Sequence, residues 1–189
     1  MVLEVVKYGN PVLRQRGERI ESVTPKIKHL IADMVETMHA AHGIGLAAQQ
    51  VGHALQLTVL DVSGVPDRPS TLELDGQKVD VDAHMPLVLI NPELTPTGQP
   101  ATGPEGCLSF PEIYADITRP ESVQVKALNE KGQPVQFHCG GLLARAIQHE
   151  TDHLHGILFI DRMTRETKAE LKLELEELQK RTKESLKKK

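Results

Sequence analysis

The chain has 189 residues and a formal net charge of −4. That length suits one domain with a full hydrophobic core, and the acid excess gives the whole molecule no attraction to nucleic acid. No apolar run approaches the ~18 residues of a membrane span, and the opening Met1-Val2-Leu3-Glu4-Val5-Val6-Lys7 lacks the basic region, apolar stretch and cleavage site of a secretory leader. The expectation is a cytoplasmic protein whose two cysteines, Cys107 and Cys139, stay reduced.

Thr24 is placed to cap a helix with Pro25 at its first position, and Ile27, Leu30, Ile31, Met34 and Met38 follow at helical spacing. This predicts a half-buried helix. The Gly- and Ala-rich segment Gly43 to Gln50 suits backbone packed closely against a strand or a ligand. Leu55 to Val62 and Leu87 to Ile90 read as strands, separated by a polar stretch from Ser63 to Pro86 that reads as a long loop or hairpin. Val123, Val125 and Ala127 alternate with polar residues, and the turn at Asn129 to Gly132 leads back to Val135 and Phe137, the pattern of a hairpin. Gly140-Gly141 then releases the chain into a helix beginning near Leu142. A last helix from about Thr164 to the end carries Leu171, Leu175 and Leu178 as a docking stripe, with a basic tip of Lys180, Arg181, Lys183 and Lys187 to Lys189 that should fray. The order of elements predicts an α+β fold: one domain over residues 1–189, with mixed or antiparallel sheets around a central metal-binding helix and a C-terminal helix over about 164–189.

The metal-binding reading comes from His149-Glu150-Thr151-Asp152-His153. Residues i and i+4 of a helix share a face about 6 Å apart, so both imidazoles reach one ion with the Glu150 carboxylate beside them as a general base. Leu142, Ala146, His149 and His153 also share a flank, so the metal face continues the apolar face. An open catalytic site wants a third protein ligand. The longer pattern HExxHxxGxxH holds as far as Gly156 and then fails at Phe159. Glu170, Glu174, Glu176 and Glu177 are formally available, but they stand in a charge-rich, solvent-facing helix. The remaining candidate is Cys107, in the fixed backbone of Glu105-Gly106-Cys107-Leu108-Ser109-Phe110-Pro111.

Three separated motifs, Gly43-Ile44-Gly45-Leu46-Ala47-Ala48-Gln49-Gln50, Glu105-Gly106-Cys107-Leu108-Ser109 and Gln148-His149-Glu150-Thr151-Asp152-His153, occur in that order. Through them the chain resembles the bacterial peptide deformylases, metallohydrolases that remove the formyl group from the starting methionine of new polypeptides. The resemblance runs from Gly9-Asn10-Pro11-Val12-Leu13 to about Arg162. It implies a divalent metal on Cys107, His149 and His153, Fe(II) foremost, with zinc, nickel or cobalt as substitutes. It implies that Glu150 takes a proton from water and passes it to the departing amine, while the Gln50 side-chain amide and the Leu108 N–H face the formyl oxygen. Ile44, Leu142 and Ala146 match the family's methionine pocket, and Gly45 and Gly106 would offer backbone to an extended peptide. The substrates implied are N-formylmethionyl nascent peptides, with ribosome contact through the basic C-terminal helix. Tyr114 departs from the Arg of some bacterial members, which affects peptide contacts and leaves the metal chemistry alone. Cys139 reads as structural, and His42, His53, His84, His138 and His155 as solvated or hydrogen-bonded.

Overall fold

The computed structural model describes residues 1–189. Helix α1 (Pro25–Ala40) starts as the sequence predicts, with the Thr24 hydroxyl accepting the Ile27 N–H at 3.2 Å and Pro25 in the first turn. Its apolar face, with Ile31, Met34 and Met38 buried, covers Leu57, Val59, Val88 and Ile90 of the sheet.

Seven strands form one antiparallel sheet: β1 (Gly45–Ala47), β2 (Leu57–Leu60), β3 (Ser70–Leu74), β4 (Gln77–Lys78), β5 (Leu87–Cys107), β6 (Phe110–Leu128) and β7 (Pro134–Gly141). Their order across the sheet is β1-β2-β5-β6-β7-β3-β4, and every pairing between them is antiparallel. A single parallel bridge, Glu18 with Leu55, lies outside the named strands. The 63–86 stretch holds the small β3–β4 hairpin, so of the two readings of that segment the hairpin is the one observed.

The largest element escapes the sequence. β5 and β6 are 21 and 19 residues long and pair with each other almost throughout. Pro92, Pro96, Pro100 and Pro104 argue against a strand there, because proline cannot donate to a ladder. The strand tolerates them because β2 borders only Leu87 to Ile90, so beyond that point β5 has a ladder neighbour on one side alone. Pro92 falls within one register shift, and a second shift lies between Thr97 and Pro100.

Helix α2 (Leu142–Leu154) crosses the middle of the molecule with eleven of its residues buried, packed on Leu60, Leu72, Leu89, Val123 and Val125. It has to begin at a glycine. Gly141 has φ of 68°, and a Cβ there would run into the Pro69 carbonyl. That same carbonyl takes the Leu142 N–H at 3.1 Å and the Ser70 hydroxyl takes the Leu143 N–H at 2.9 Å, which satisfies the first donors of the helix.

The C-terminal region is two helices, where the sequence predicts one. α3 (Arg165–Glu170) and α4 (Lys172–Lys187) meet at Leu171, which leaves helical geometry at ψ of 0°. The turn keeps Leu171, Leu175 and Leu178 against Phe110 and Phe159. The basic tip is helical as far as Lys187 rather than frayed, and Lys189 Nζ meets Glu4 at 3.1 Å.

Candidate metal centre

Two walls meet at the centre. On α2, His149 and His153 lie one turn apart with ring centroids 5.2 Å apart, both buried. Opposite them Cys107 stands at the end of β5, where a two-residue turn at Leu108 and Ser109 leads into β6. Its Sγ is 3.4 Å from His153 Nε2, and one donor atom from each of Cys107, His149 and His153 falls within 4.8 Å of the others. A four-coordinate centre with bonds of about 2.0–2.3 Å separates its ligand atoms by about 3.5 Å, so the three residues fit one ion. One thiolate with two imidazoles suits zinc, iron(II), cobalt or nickel. The downstream glutamates do not take part, since Glu170, Glu174, Glu176 and Glu177 are all exposed.

Behind the α2 wall lies a buried charged network. His149 Nδ1 meets Glu105 Oε1 at 2.9 Å, which turns its other nitrogen toward the centre. Glu105 is gripped by Arg119 through two contacts at 2.6 and 2.9 Å and by Arg145 at 2.8 Å. Arg119 also reaches Asp152 at 2.9 Å, and Arg162 holds Asp152 from the surface side. Burial alone would raise the Glu105 carboxyl, but the hydrogen bonds from His149 and Arg119 and the Arg119 charge outweigh it and hold Glu105 at about 2. Burial would likewise lower His149, yet its hydrogen bonds with Cys107 and Glu105 raise it well above the usual range. His153 has no carboxylate partner: burial, then the charges of His149 and Arg119, depress it well below that range, and its buried Nδ1 has no hydrogen bond.

Glu150 sits between the two histidines in sequence and faces the opposite wall. Burial raises its carboxyl to about 7, and its Oε2 has no partner in the protein. Gly45 on β1 makes room for it, because a Cβ there would lie 2.7 Å from Glu150 Oε1. Gln50, 1% exposed, is held by Ala47, whose N–H donates to Gln50 Oε1 at 2.9 Å; its Nε2 points to Ser109 Oγ at 3.2 Å and Cys107 Sγ at 3.5 Å. The Leu108 N–H enters none of the turn or loop hydrogen bonds.

A cavity of about 600 Å³ opens onto these groups. Ile44, Gly45, Gly106, Leu108, Leu142 and Ala146, all singled out from the sequence, line it together with Cys107, His149 and Glu150. Gln50 and His153 stand behind that lining. Tyr114 also reaches the cavity: its ring covers Gly106, where a Cβ would lie 2.7 Å from it, and the residue is 70% exposed. Cys139 is free and fully buried, with its thiol pushed up to about 12 by burial, as a structural cysteine should be. Glu105 has no role in the sequence expectations beyond its place in a motif, and Arg119 and Arg145 have none. A signal for Glu105 existed. Residues i and i+2 of a strand share a face, so Glu105 accompanies Cys107 toward the helix, and a metal-ligating histidine calls for an acceptor on its outer nitrogen.

An α+β frame that sets an HExxH helix against a hairpin cysteine defines a metallohydrolase centre. The family model for polypeptide deformylase matches residues 2–169. A peptide deformylase of Opitutus terrae is 45% identical over 189 residues, covering 99% of this chain and 98% of that protein. One from Methylacidiphilum infernorum is 48% identical over 178 residues, covering 94% and 93%. Among solved structures, a plant peptide deformylase superposes with a TM-score of 0.82 at 37% identity, covering 97% of this chain and 92% of that one. The peptide deformylase of Synechococcus elongatus, solved in complex with actinonin, gives 0.75 at 39% identity, covering 95% and 85%. The chain belongs to the peptide deformylase family, whose members are metal-dependent enzymes.

Proposed function

We propose that the chain hydrolyses the formyl amide of N-formylmethionyl nascent peptides and releases formate, and that residues 1–189 act as one catalytic unit. The observation that carries this reading is the convergence of Cys107, His149 and His153 within 4.8 Å beside the unpartnered Glu150 carboxylate, with Cys107, His149 and Glu150 lining a cavity of about 600 Å³. When bound by those three residues, a divalent ion supplies a Lewis acid for a carbonyl oxygen and makes water acidic enough to attack near neutral pH. Glu150 accepts the water proton and delivers it to the departing amine nitrogen, which cannot leave as an anion. Gln50 Nε2 and the Leu108 N–H donate to the formyl oxygen as charge grows on it, each donor contributing about 3 kcal/mol to lowering the barrier. Ile44, Leu142 and Ala146 receive the methionine side chain, while the backbone at Gly45 and Gly106 holds the peptide extended.

Iron(II) is the ion we assign to the working enzyme, with zinc, nickel and cobalt as substitutes that the same donors accept. We place the enzyme in the cytoplasm, where nascent chains emerge. The exposed Lys180, Arg181, Lys183 and Lys187 at the end of α4 are the surface that would meet ribosomal RNA. Because Leu175 and Leu178 belong to the core, charge reversal at Lys183 and Lys187 tests that contact better than removal of the helix, and unchanged co-sedimentation with ribosomes would discard it. The activity is tested by supplying the protein with iron(II) under anaerobic conditions and following formate release from formyl-Met-Ala-Ser beside chain cleavage of an unblocked peptide. Formate without chain cleavage is expected; chain cleavage without formate would mark an endopeptidase.

A further inference from the structure

We propose that Arg68 is a specificity-determining residue that favours substrates with an acidic side chain two residues after the formylmethionine, an inference that rests on the deformylase reading of the cavity. Arg68 lines the same cavity as Gly45, Gly106 and Glu150, and its Nη2 donates to the Pro104 carbonyl at 3.2 Å. Pro104 lies three residues before Cys107 on β5. At about 3.3 Å per residue, a peptide extended from the centre past Gly106 comes level with Pro104 within about three residues. The second residue after the methionine is therefore the one that Arg68 meets.

The cation is both free and fixed. Arg119, Arg145 and Arg162 around the centre are each paired with Glu105 or Asp152, whereas Arg68 has no carboxylate within 4.0 Å and makes one hydrogen bond of the five its guanidinium can donate. Its backbone is held on both sides. The next two residues, Pro69 and Ser70, accept the first N–H groups of α2, and its own N–H donates to the Val65 carbonyl at 3.3 Å. Upstream, Asp61 anchors the loop by accepting the Ser63 N–H at 3.0 Å and pairing with His39 on α1 at 2.8 Å. Of the other cations that line the cavity, Arg145 is paired with Glu105, and Lys7 has its Nζ on the Val5 carbonyl at 3.0 Å and lies near Cys107, so neither serves the Pro104 end. A half-buried arginine held in place with donors to spare presents a carboxylate site to a passing peptide.

The test compares kcat/KM for three C-terminally amidated peptides, formyl-Met-Ala-Glu, formyl-Met-Ala-Ala and formyl-Met-Ala-Lys, on the iron-loaded wild type, Arg68→Ala and Arg68→Lys. Amidation removes the terminal carboxylate, which would otherwise compete for the same cation. Wild type should favour Glu over Lys by about three- to fivefold at low salt, through KM, with the preference fading as salt rises. Arg68→Ala should bring the ratio close to one and Arg68→Lys should retain most of it. An active wild type with a flat ratio overturns the role of Arg68. So does an Arg68→Ala that slows all three peptides equally, the mark of a tether to Pro104 alone. Absence of formate from every peptide would instead defeat the deformylase reading and this inference with it.

Discussion

The two walls of the centre are built by opposite means. The α2 wall is a buried helix whose functional side chains are locked from behind by Glu105, Arg119, Asp152 and Arg145. The facing wall, from Gly43–Gln50 and the Cys107 turn, offers little side chain: a thiol, one amide held by Ala47 and the Leu108 N–H. The helix wall governs orientation and protonation, and the hairpin wall supplies space and backbone donors. Each therefore fails in its own way when changed.

The helix wall gives the largest effect. Glu150→Gln removes the proposed proton carrier and keeps the shape, so formate release should fall about 10²- to 10⁴-fold while metal analysis still finds one ion per chain. Loss of the ion would instead make Glu150 part of the scaffold. Glu105→Gln leaves Arg145 without its carboxylate and Arg119 with Asp152 alone. Breaking such a pair should cost about 3–5 kcal/mol in urea unfolding, and metal affinity, read by chelator competition, should weaken about 10- to 100-fold. Affinity equal to wild type would confine the network to stability.

On the facing wall the expected damage is local. In Gly45→Ala the new methyl collides with Glu150, whose Oε1, Cγ and Cδ all lie within 2.9 Å of it. Activity should drop by up to about 100-fold with thermal stability nearly intact; a matched fall in both would show that β1 itself was disrupted. The smallest effect lies outside both walls, at the partly exposed Arg14–Asp161 pair, 2.5 Å apart. Burial would raise the Asp161 carboxyl, but hydrogen bonds from Arg14 and the Leu158 N–H hold it below the usual range. A carboxyl lowered on folding stabilises above its unfolded pKa, and that contribution is lost as pH falls through the folded value. The Tm gap between wild type and Asp161→Asn should thus be small and present at pH 7, and should close as the pH is lowered into the acidic range; a gap constant with pH would deny the ion pair a part.

The same contrast governs what the sequence reveals. A helix writes its site at i and i+4, so His149, Glu150 and His153 are legible as a group, and the Thr24–Pro25 cap announces α1. On the hairpin wall the sequence offers Cys107 only as the third ligand left after the others fail, and the roles of Gln50 and the Leu108 N–H come from the resemblance alone. Cys107 stands 42 residues before His149, and the prolines of its strand argue against pairing there unless the strand has no second neighbour, as β5 has none beyond Ile90. The split at Leu171 has no glycine or proline to mark it, and it follows from docking Leu175 and Leu178 on Phe110 and Phe159. Arg119 and Arg145 were hidden for a related reason. Their partners Glu105 and Asp152 are distant in sequence, and a charged residue read alone is assigned to the surface.

The central claim is that the metal is shared between the walls, and the absorption spectrum of the cobalt(II)-loaded protein tests it most directly. The wild type should show a thiolate-to-cobalt charge-transfer band that disappears in Cys107→Ser, with the binding of cobalt greatly weakened. A band that survives the substitution, or full cobalt affinity without Cys107, would place the third ligand elsewhere and contradict the account.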